Sequence, residues 1–541
     1  MILADGKYSG FLVSGIGLSL DAPESEACRI AAAELKRAGI SPARLRFNVY
    51  KRSVDARKKN DIRLVYSVAA RADEPIAAQL PKGGKYRICE LENETLEIVQ
   101  GHAPMSAPPV VVGMGPAGLF AALLLAENGY RPIIIDRGDC VKERQKKYAQ
   151  FSKFGILDTE SNIQFGAGGA GTFSDGKLLT RINDAKISYV LGRFCDFGAP
   201  EEILTAAKPH IGTDILLDVV DRMLLEIERL GGKVMYRTRL DGIRYLSDGN
   251  IVAMTTAGEL VGSSLILATG HSSRDTYKML LDSGYAVEAK SFSVGVRIEH
   301  LREDIDKALY GDMAGHSRLG KGEYHLSDTS TGRGVYTFCM CPGGEVVAAA
   351  SEEYGVVVNG MSESARDGRN SNSAVAVSVR REDYDGTPMG AIEFQRKIER
   401  GAYIEGGSDY CAPIMTVGDF LSGGYGTEPT RVMPTYRDGK VRTADFNKIF
   451  PSFVTDELKL GLLSFERKLK GFAAPDAILT GAETRTSAPV RILRGEDMCA
   501  LGKKGVYPCG EGAGYAGGIT SAAIDGIKTA LKIMEQFAPL D

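Results

Sequence analysis

Residues 109–136, PVVVGMGPAGLFAALLLAENGYRPIIID, decide the fold. Val110–Val112 is an unbroken apolar run, the pattern of a strand buried on both faces. Gly113, Gly115 and Gly118 follow at G-x-G-x-x-G spacing, and Leu119–Asn128 reads as a helix stopped by Gly129. A second apolar run, Ile133–Ile135, ends in Asp136. The order predicts a βαβ unit that holds a dinucleotide. Gly113 gives the tight turn, Gly115 lets the backbone reach a pyrophosphate, and Gly118 lets helix and strand close on each other. The pyrophosphate then meets free N–H groups and the positive end of the helix. Asp136, 18 residues after Gly118, stands where a carboxylate accepts from ribose hydroxyls.

Two other stretches match the same spacing: Gly166, Gly168 and Gly171, and Gly512, Gly514 and Gly517. TFSDGKLLTR follows the first and lacks a helical apolar period; the second precedes a helical stretch with no further strand and acid behind it. The match at Gly113 alone sits in a complete unit. Glycine is abundant throughout, 64 of 541 residues, about 12% against a usual figure near 7%. This length predicts two to four domains. With 66 Lys and Arg against 69 Asp and Glu, the charge balance speaks against a general affinity for nucleic acid or anionic membrane. Nine irregularly spaced cysteines speak against a disulfide-stapled secreted scaffold. The start, MILADGKYSG, lacks the pattern of a secretion signal. Ala103–Ala126 is uncharged, but Pro104, Pro108, Pro109 and Pro116 break it as a membrane helix. The expectation is a soluble cytoplasmic protein without membrane contact.

The first hundred residues read as a small separate unit. FLVSGIGLSL is a predicted strand, Asp21 a predicted N-cap for ESEACRIAAAELKRAG, and Gly39 its stop. RLRFNVYKRSVDA and IRLVYSVAA follow as strands, an order that suggests a ferredoxin-like α/β domain. The Pro-rich segment 102–109 is a predicted linker. Helical stretches are expected near 185–206 and 212–230, and strands around 233–267. The predicted division is 1–101 for the small domain, 106–290 and 481–541 for a discontinuous dinucleotide domain, and 291–480 for an inserted mixed α+β substrate domain.

Three later features bear on which dinucleotide. Asp136 continues into Arg137 and Gly138; Leu265–Ala268 runs into Thr269 and Gly270; and YPCGEGAGYAGGITSAAIDG occupies 507–526. In this order they resemble the FAD-binding fold of the glutathione-reductase type. NIQFGAGGAGTFSDGKLLTR (162–181), CMCPGGEVV (339–347), ETRTSAPVRI (483–492) and KRSVDARKK (51–59) are similar to a family of bacterial FAD-dependent, or NAD(FAD)-utilising, dehydrogenases. The resemblance covers nearly the whole chain. It implies a Rossmann α/β FAD domain with non-covalent FAD held by Gly113, Gly115, Pro116, Ala117, Gly118, Asp136 and Arg137. It adds Gly168, Gly169, Lys177, Thr269 and Gly270, then Gly510, Glu511, Gly517, Gly518 and Ile519. Glu511 departs from the wider pattern, which has Asp. The last helix would aim its first amides at the N1–O2 edge of the flavin, where the reduced ring is anionic.

Other residues offer chemistry beside a bland reading. Cys339 and Cys341 form C-x-C; on a regular strand both point one way, as a redox pair or as buried packing. His271 follows the ATG turn, as an acid or base or as a packing residue. Lys177 and Arg485 would meet the pyrophosphate, the flavin or an anionic substrate, or form ordinary salt bridges. The six histidines are scattered and predict no metal site. Residues 36–63 hold ten Lys and Arg against Asp55 and Asp61: a solvated face, or a contact for RNA or an acidic protein. The reading is an FAD-dependent oxidoreductase passing a hydride to or from a small substrate, with any NAD(P)H binding outside a Rossmann domain of its own. The alternative is an RNA-directed flavoprotein that uses the basic amino-terminal unit.

Overall fold

The structure is a computed structural model that describes residues 7–81, 83–92 and 95–540, and these cluster into two compact units. The smaller takes Met1–Leu96, Asn183–His210 and Asp306–Gly322. Its elements are β1 (Lys7–Ser19), α1 (Ser25–Arg37), β2 (Leu45–Asp55), β3 (Arg63–Ala77) and β4 (Arg87–Glu90). The strands form an antiparallel sheet in the order β2-β3-β1-β4. Phe11 and Val13 alternate inward on β1, and a register shift between Ser14 and Ile16 keeps Ile16 and Leu18 in the core. Ala27, Ala31 and Leu35, at helical spacing on α1, cover that face. Asp21 does not cap α1: the N-cap is Glu24, without a side-chain capping bond. Gly39 ends the helix in the left-handed region, φ +80°.

Tyr310 and Leu319 complete this core, so a segment read from sequence as part of the middle region belongs to the smaller unit. The stretch expected to be helical over 185–206 is a helix at Lys186–Asp196 and a short 3₁₀ turn at Glu201–Leu204. Beyond it, Thr205 and Ala207 pair through their backbones with Arg52. The basic run is partly neutralised locally: Arg37 pairs with Glu34, Arg46 with Asp73, Arg57 with Asp55 and Arg63 with Asp61.

The larger unit is built on a parallel sheet. β5 (Val110–Val112), α2 (Pro116–Glu127), β6 (Ile133–Ile135), α3 (Thr213–Arg229), β7 (Lys233–Met235) and β8 (Leu265–Leu267) come first. β9 (Val506–Pro508) and α4 (Ile519–Gln536) follow far along the chain. The sheet order is β9-β8-β5-β6-β7, parallel throughout. The chain leaves β5 toward β6 and β7, then returns to its other side for β8 and β9. The order reverses there, and open α/β sheets of this type bind ligands at that crevice, outside the carboxyl ends of the strands. α2 begins at Pro116, earlier than the predicted Leu119; proline suits a first helical position because its missing N–H has no partner to lose. Residues Ala117–Ala126 are all buried, with α4 packed so closely that a Cβ on Gly526 would lie 2.0 Å from the Ala117 carbonyl oxygen.

A seven-stranded sheet supplies the opposing wall. Its order is Ser327–Asp328, Val335–Cys341, Asn370–Val379, Phe292–Leu301, Ile478–Glu483, Ala412–Thr416, Val441–Thr443. All its pairs are antiparallel except the last. The two central strands are buried along almost their full length, charged residues included: Arg297 pairs with Glu483, and Glu299 accepts from Asn370 and Thr435. Among the described residues, no helix is long and apolar enough to cross a membrane.

Candidate functional site

Three glycines of the βαβ turn show three different constraints. Gly113 has φ +106°, and a Cβ there would lie 2.2 Å from the Ala268 carbonyl oxygen at the end of β8. A Cβ on Gly118 would lie 1.9 Å from the Gly113 carbonyl oxygen, so helix and turn are in contact. Gly115 differs: the nearest atom to its Cβ position is Gly169 Cα, 3.9 Å away. Among the described residues nothing crowds a Cβ at 115, and the space beside it opens into a cavity lined by Gly113, Gly115, Pro116 and Ala117.

The same cavity gathers segments from the length of the chain. Asp136 and Arg137 line it from β6, and Thr269, Gly270 and His271 from the turn after β8. Glu511, Gly517, Gly518 and Ile519 line it from the segment between β9 and α4. Phe338, Cys339, Glu483 and Arg485 close it from the antiparallel sheet and the loop beyond. Tyr277 joins two of these segments, since its hydroxyl donates to the carbonyls of Gly270 (3.2 Å) and Gly512 (2.8 Å). Gly118, Gly168 and Gly510 stand behind this lining. Gly168 donates its N–H to Met114 (2.8 Å), and Gly510 donates to Asp525, itself paired with Arg494 (2.7 Å).

The 162–171 loop lies against the first glycine turn; a Cβ on Gly169 would stand 2.9 Å from Gly115 Cα. Arg144, wholly buried, holds the loop in shape. Its guanidinium donates to the carbonyls of Asn162 (2.7 Å), Ile163 (2.5 Å), Ala167 (2.7 Å) and Gly169 (2.8 Å), and to the Thr172 hydroxyl (2.8 Å). Burial pulls its pKa down to about 9. The sequence carried a faint signal for it: Arg144 falls on the stripe of Val141, Tyr148 and Phe151 along the helix Val141–Phe154.

Most charged groups around the cavity are already satisfied. Asp136 accepts from the N–H groups of Met114 and Gly138, both at 2.9 Å. Arg137 pairs with Glu160 (3.0 Å) and Asp275 and lies over the Phe165 ring. Lys177 binds Asp175 (2.7 Å) and Glu323 (3.0 Å), and Arg366 clamps the same two carboxylates. Arg485 pairs with Glu399 (3.1 Å), which also binds Arg274 (2.7 Å). Against burial, these two arginines hold Glu399 well below the usual carboxylate range. Burial, with Arg485 and Arg274 nearby, drives His271 down to about 3, so its imidazole is neutral; Nδ1 lies 3.0 Å from the Ser272 hydroxyl. Ser272 in turn donates to Gln164, a lining residue that sequence reading did not single out.

Glu511 is the exception. Burial pushes it up to about 7, Lys290 opposes that from a distance, and no hydrogen-bond donor serves it among the described residues. Facing the same space, Gly518 caps α4, and the first-turn N–H groups of Ile519 and Thr520 have no place in the helical ladder.

Residues 291–486 match a family model described as FAD-dependent protein, C-terminal domain-like. Residues 14–71 match a domain of unknown function (DUF8436). An uncharacterized protein of Clostridium beijerinckii is 47% identical over 496 residues, covering 91% of this chain and 93% of that protein. Among solved structures, the flavin-dependent halogenase CmlS is 13% identical, with a TM-score of 0.36 over 80% of this chain and 58% of its own. CtdE in complex with FAD is 12% identical, with a TM-score of 0.32 over 79% of this chain and 86% of its own. Likenesses this distant carry no argument about the site, which stands on its own strand order and lining. On the identity and coverage of the Clostridium beijerinckii relative, the chain belongs to that protein's family, and its residues 291–486 carry the C-terminal-like domain of FAD-dependent proteins.

Proposed function

We propose that this protein is an FAD-dependent oxidoreductase that binds FAD without a covalent link and passes a hydride between it and a small substrate. One observation carries the reading: segments near 113, 269 and 517, far apart in sequence, meet in one cavity at the switch point of the parallel sheet. The donor set fits the cofactor. Gly115 leaves a cradle that a Cβ would fill, and the start of α2 offers backbone N–H groups to a pyrophosphate. Glu511 is a carboxylate facing the cavity without a protein donor, suited to a polyol hydroxyl. The start of α4 supplies N–H groups and a positive dipole end for an anionic ring, worth about 0.3–1 kcal/mol and more when partly buried.

Bound FAD would supply a ring that takes up or releases a hydride. The chain's own residues position and shield it. Arg144 fixes the glycine loop against the cradle, and Tyr277 locks the turn after β8 to the segment after β9. His271, neutral, offers a hydrogen bond rather than a charge. The antiparallel wall, with Phe338, Cys339 and Arg485, is the face from which a substrate would approach.

Two glycine variants test the reading together. Gly115→Val should fold, because its Cβ would meet nothing nearer than Gly169 Cα at 3.9 Å, and should purify without the yellow flavin absorption of the native protein. Gly118→Val should fail to fold, because its Cβ overlaps the Gly113 carbonyl. A folded Gly115→Val protein with full FAD content would overturn the assignment.

A further inference from the structure

The C-x-C motif is not a plain piece of strand. Pairing between Val335–Cys341 and Asn370–Val379 is regular to Phe338, opposite Ala374, and resumes at Cys341, opposite Asn372. Cys339 and Met340 fall in the irregularity, and Cys339 has φ +44°, a left-handed conformation that non-glycine residues adopt rarely. Two bonds to its carbonyl pin it: buried Arg297 donates at 3.2 Å, and the Cys341 thiol approaches at 3.4 Å. Arg297 is itself anchored to Glu483 (2.8 Å) and Asn372 (2.7 Å). The bulge therefore overrides strand alternation. It puts Cys339 into the lining of the cavity that holds Gly115, Glu511 and Gly518, while Cys341 stays fully buried behind it. Strain kept in place by surrounding bonds is a mark of functional positions.

We propose that Cys339 and Cys341 form a dithiol–disulfide pair that exchanges two electrons with the flavin. The proposal rests on the FAD reading above. The two residues have the layout of an interchange thiol and its partner: Cys339 lines the cavity, Cys341 lies buried behind it with its thiol 3.4 Å from the Cys339 carbonyl, and both are free. The charges agree with that layout. The neighbouring Cys341 thiol, then Arg297 and Lys177, hold Cys339 below the ordinary thiol value against burial, whereas Cys341 is raised well above it. Cys339, at the cavity, is therefore the more readily ionised of the two, and buried Cys341 keeps its proton. In the oxidising direction, the Cys339 thiolate and the Cys341 thiol join in a sulfur–sulfur bond. Two electrons and the Cys341 proton pass to oxidised FAD, and the single negative charge moves from Cys339 to the reduced ring. The amides at the start of α4 face that charge. In reverse, two electrons and a proton from reduced flavin break the bond and restore thiolate and thiol.

The test uses purified full-length protein equilibrated anaerobically in glutathione buffers of graded redox poise, then alkylated and mapped by mass spectrometry. Flavin absorption is read in the same samples. The expected result is a reversible Cys339–Cys341 disulfide in the oxidising buffers. Dithionite titration of the oxidised protein should then take twice the reductant that Cys341→Ser requires. Cys341→Ser should also show a long-wavelength charge-transfer absorption from the Cys339 thiolate to oxidised flavin. Both thiols alkylatable in every buffer would overturn the proposal, and wild type needs no variant for that reading. Protein without flavin but with the disulfide would overturn the FAD reading and the electron exchange with it.

Discussion

Glu511 is set apart from the other carboxylates of the cavity by what it lacks. Asp136 has two backbone donors, Asp175 an arginine and a lysine, and Glu483 the buried Arg297, while Glu511 has no donor among the described residues. Burial raises it to about 7, so the folded protein holds its proton more tightly than the unfolded chain does. The sign follows: its contribution to stability is full below the ordinary carboxylate value and is lost as pH rises through about 7. Glu511→Gln removes that loss. FAD-free Glu511→Gln should therefore be more stable than FAD-free wild type at pH 8, by roughly 1–3 kcal/mol, with little difference at pH 5. Lys290 and Cys339, the charged groups acting on Glu511, are common to both proteins, so the difference reports Glu511 itself. Urea unfolding at the two pH values measures it, and equal differences at both would show that the carboxyl is not buried as described. The same variant should hold FAD less tightly, because an amide accepts a hydroxyl proton less strongly than a carboxylate does.

At the scale of elements, the most legible unit is one whose shape its backbone dictates. The βαβ turn was legible because each glycine serves a local constraint: a dihedral at 113, a close approach at 118, an open cradle at 115. The 162–171 loop was legible only as glycine-rich, since its shape comes from a distant arginine. Arg144 lies among Lys142, Glu143, Lys146 and Lys147, and nothing local distinguishes a buried guanidinium from its exposed neighbours except the helical stripe it interrupts. The C-x-C motif was misread as regular strand for a similar reason: the bulge follows from pairing with Asn370–Val379 and from Arg297, neither of which the local pattern reveals. Arg144→Met would leave four loop carbonyls without their donor, and each buried polar group left unpaired costs about 1–3 kcal/mol. The variant should lose roughly 3 kcal/mol or more in urea unfolding and should also lose FAD. Arg144→Lys should recover little, because one ammonium cannot reach five acceptors spread around a planar fork. Unfolding of Arg144→Met at the wild-type urea midpoint would show that the loop holds its shape without the arginine.

Across the whole chain, joining 110–112 and 265–267 with 506–508 in one sheet was foreseeable, because the motifs of all three had to face one ligand. The recruitment of 183–210 and 306–322 into the smaller unit was not, because their apolar residues carry no mark of which core they fill. The same arrangement bears on the source of electrons. The parallel sheet reverses its order at β5, and the glycine turn there is the cradle assigned to FAD. A second cavity adjoins it, sharing Arg137, Phe165 and Ser272, and a nicotinamide nucleotide reaching the flavin from this side would have to pass through it. Its charge is wrong for that ligand. Six carboxylates, Glu160, Asp275, Glu352, Glu353, Glu393 and Glu399, line it against four arginines. Three of those arginines are committed: Arg137 to Asp275, Arg274 to Glu399, and Arg396 to Glu352 (2.6 Å). A pyrophosphate entering there meets excess negative charge and forfeits the charge-assisted hydrogen bonds of a helix N-terminus, each worth roughly 1.5–3 kcal/mol. NADH and NADPH should therefore reduce the flavin slowly and without saturating at micromolar concentrations. Stopped-flow mixing under anaerobic conditions measures this. Neutralising the acidic rim with Glu353→Gln and Glu393→Gln should raise the apparent second-order rate, and more so at low ionic strength, because surface attraction and repulsion are screened within about 8–10 Å at ordinary salt. Rapid, saturable reduction of the wild-type protein would show instead that the nucleotide binds elsewhere, in a site with its own phosphate cradle.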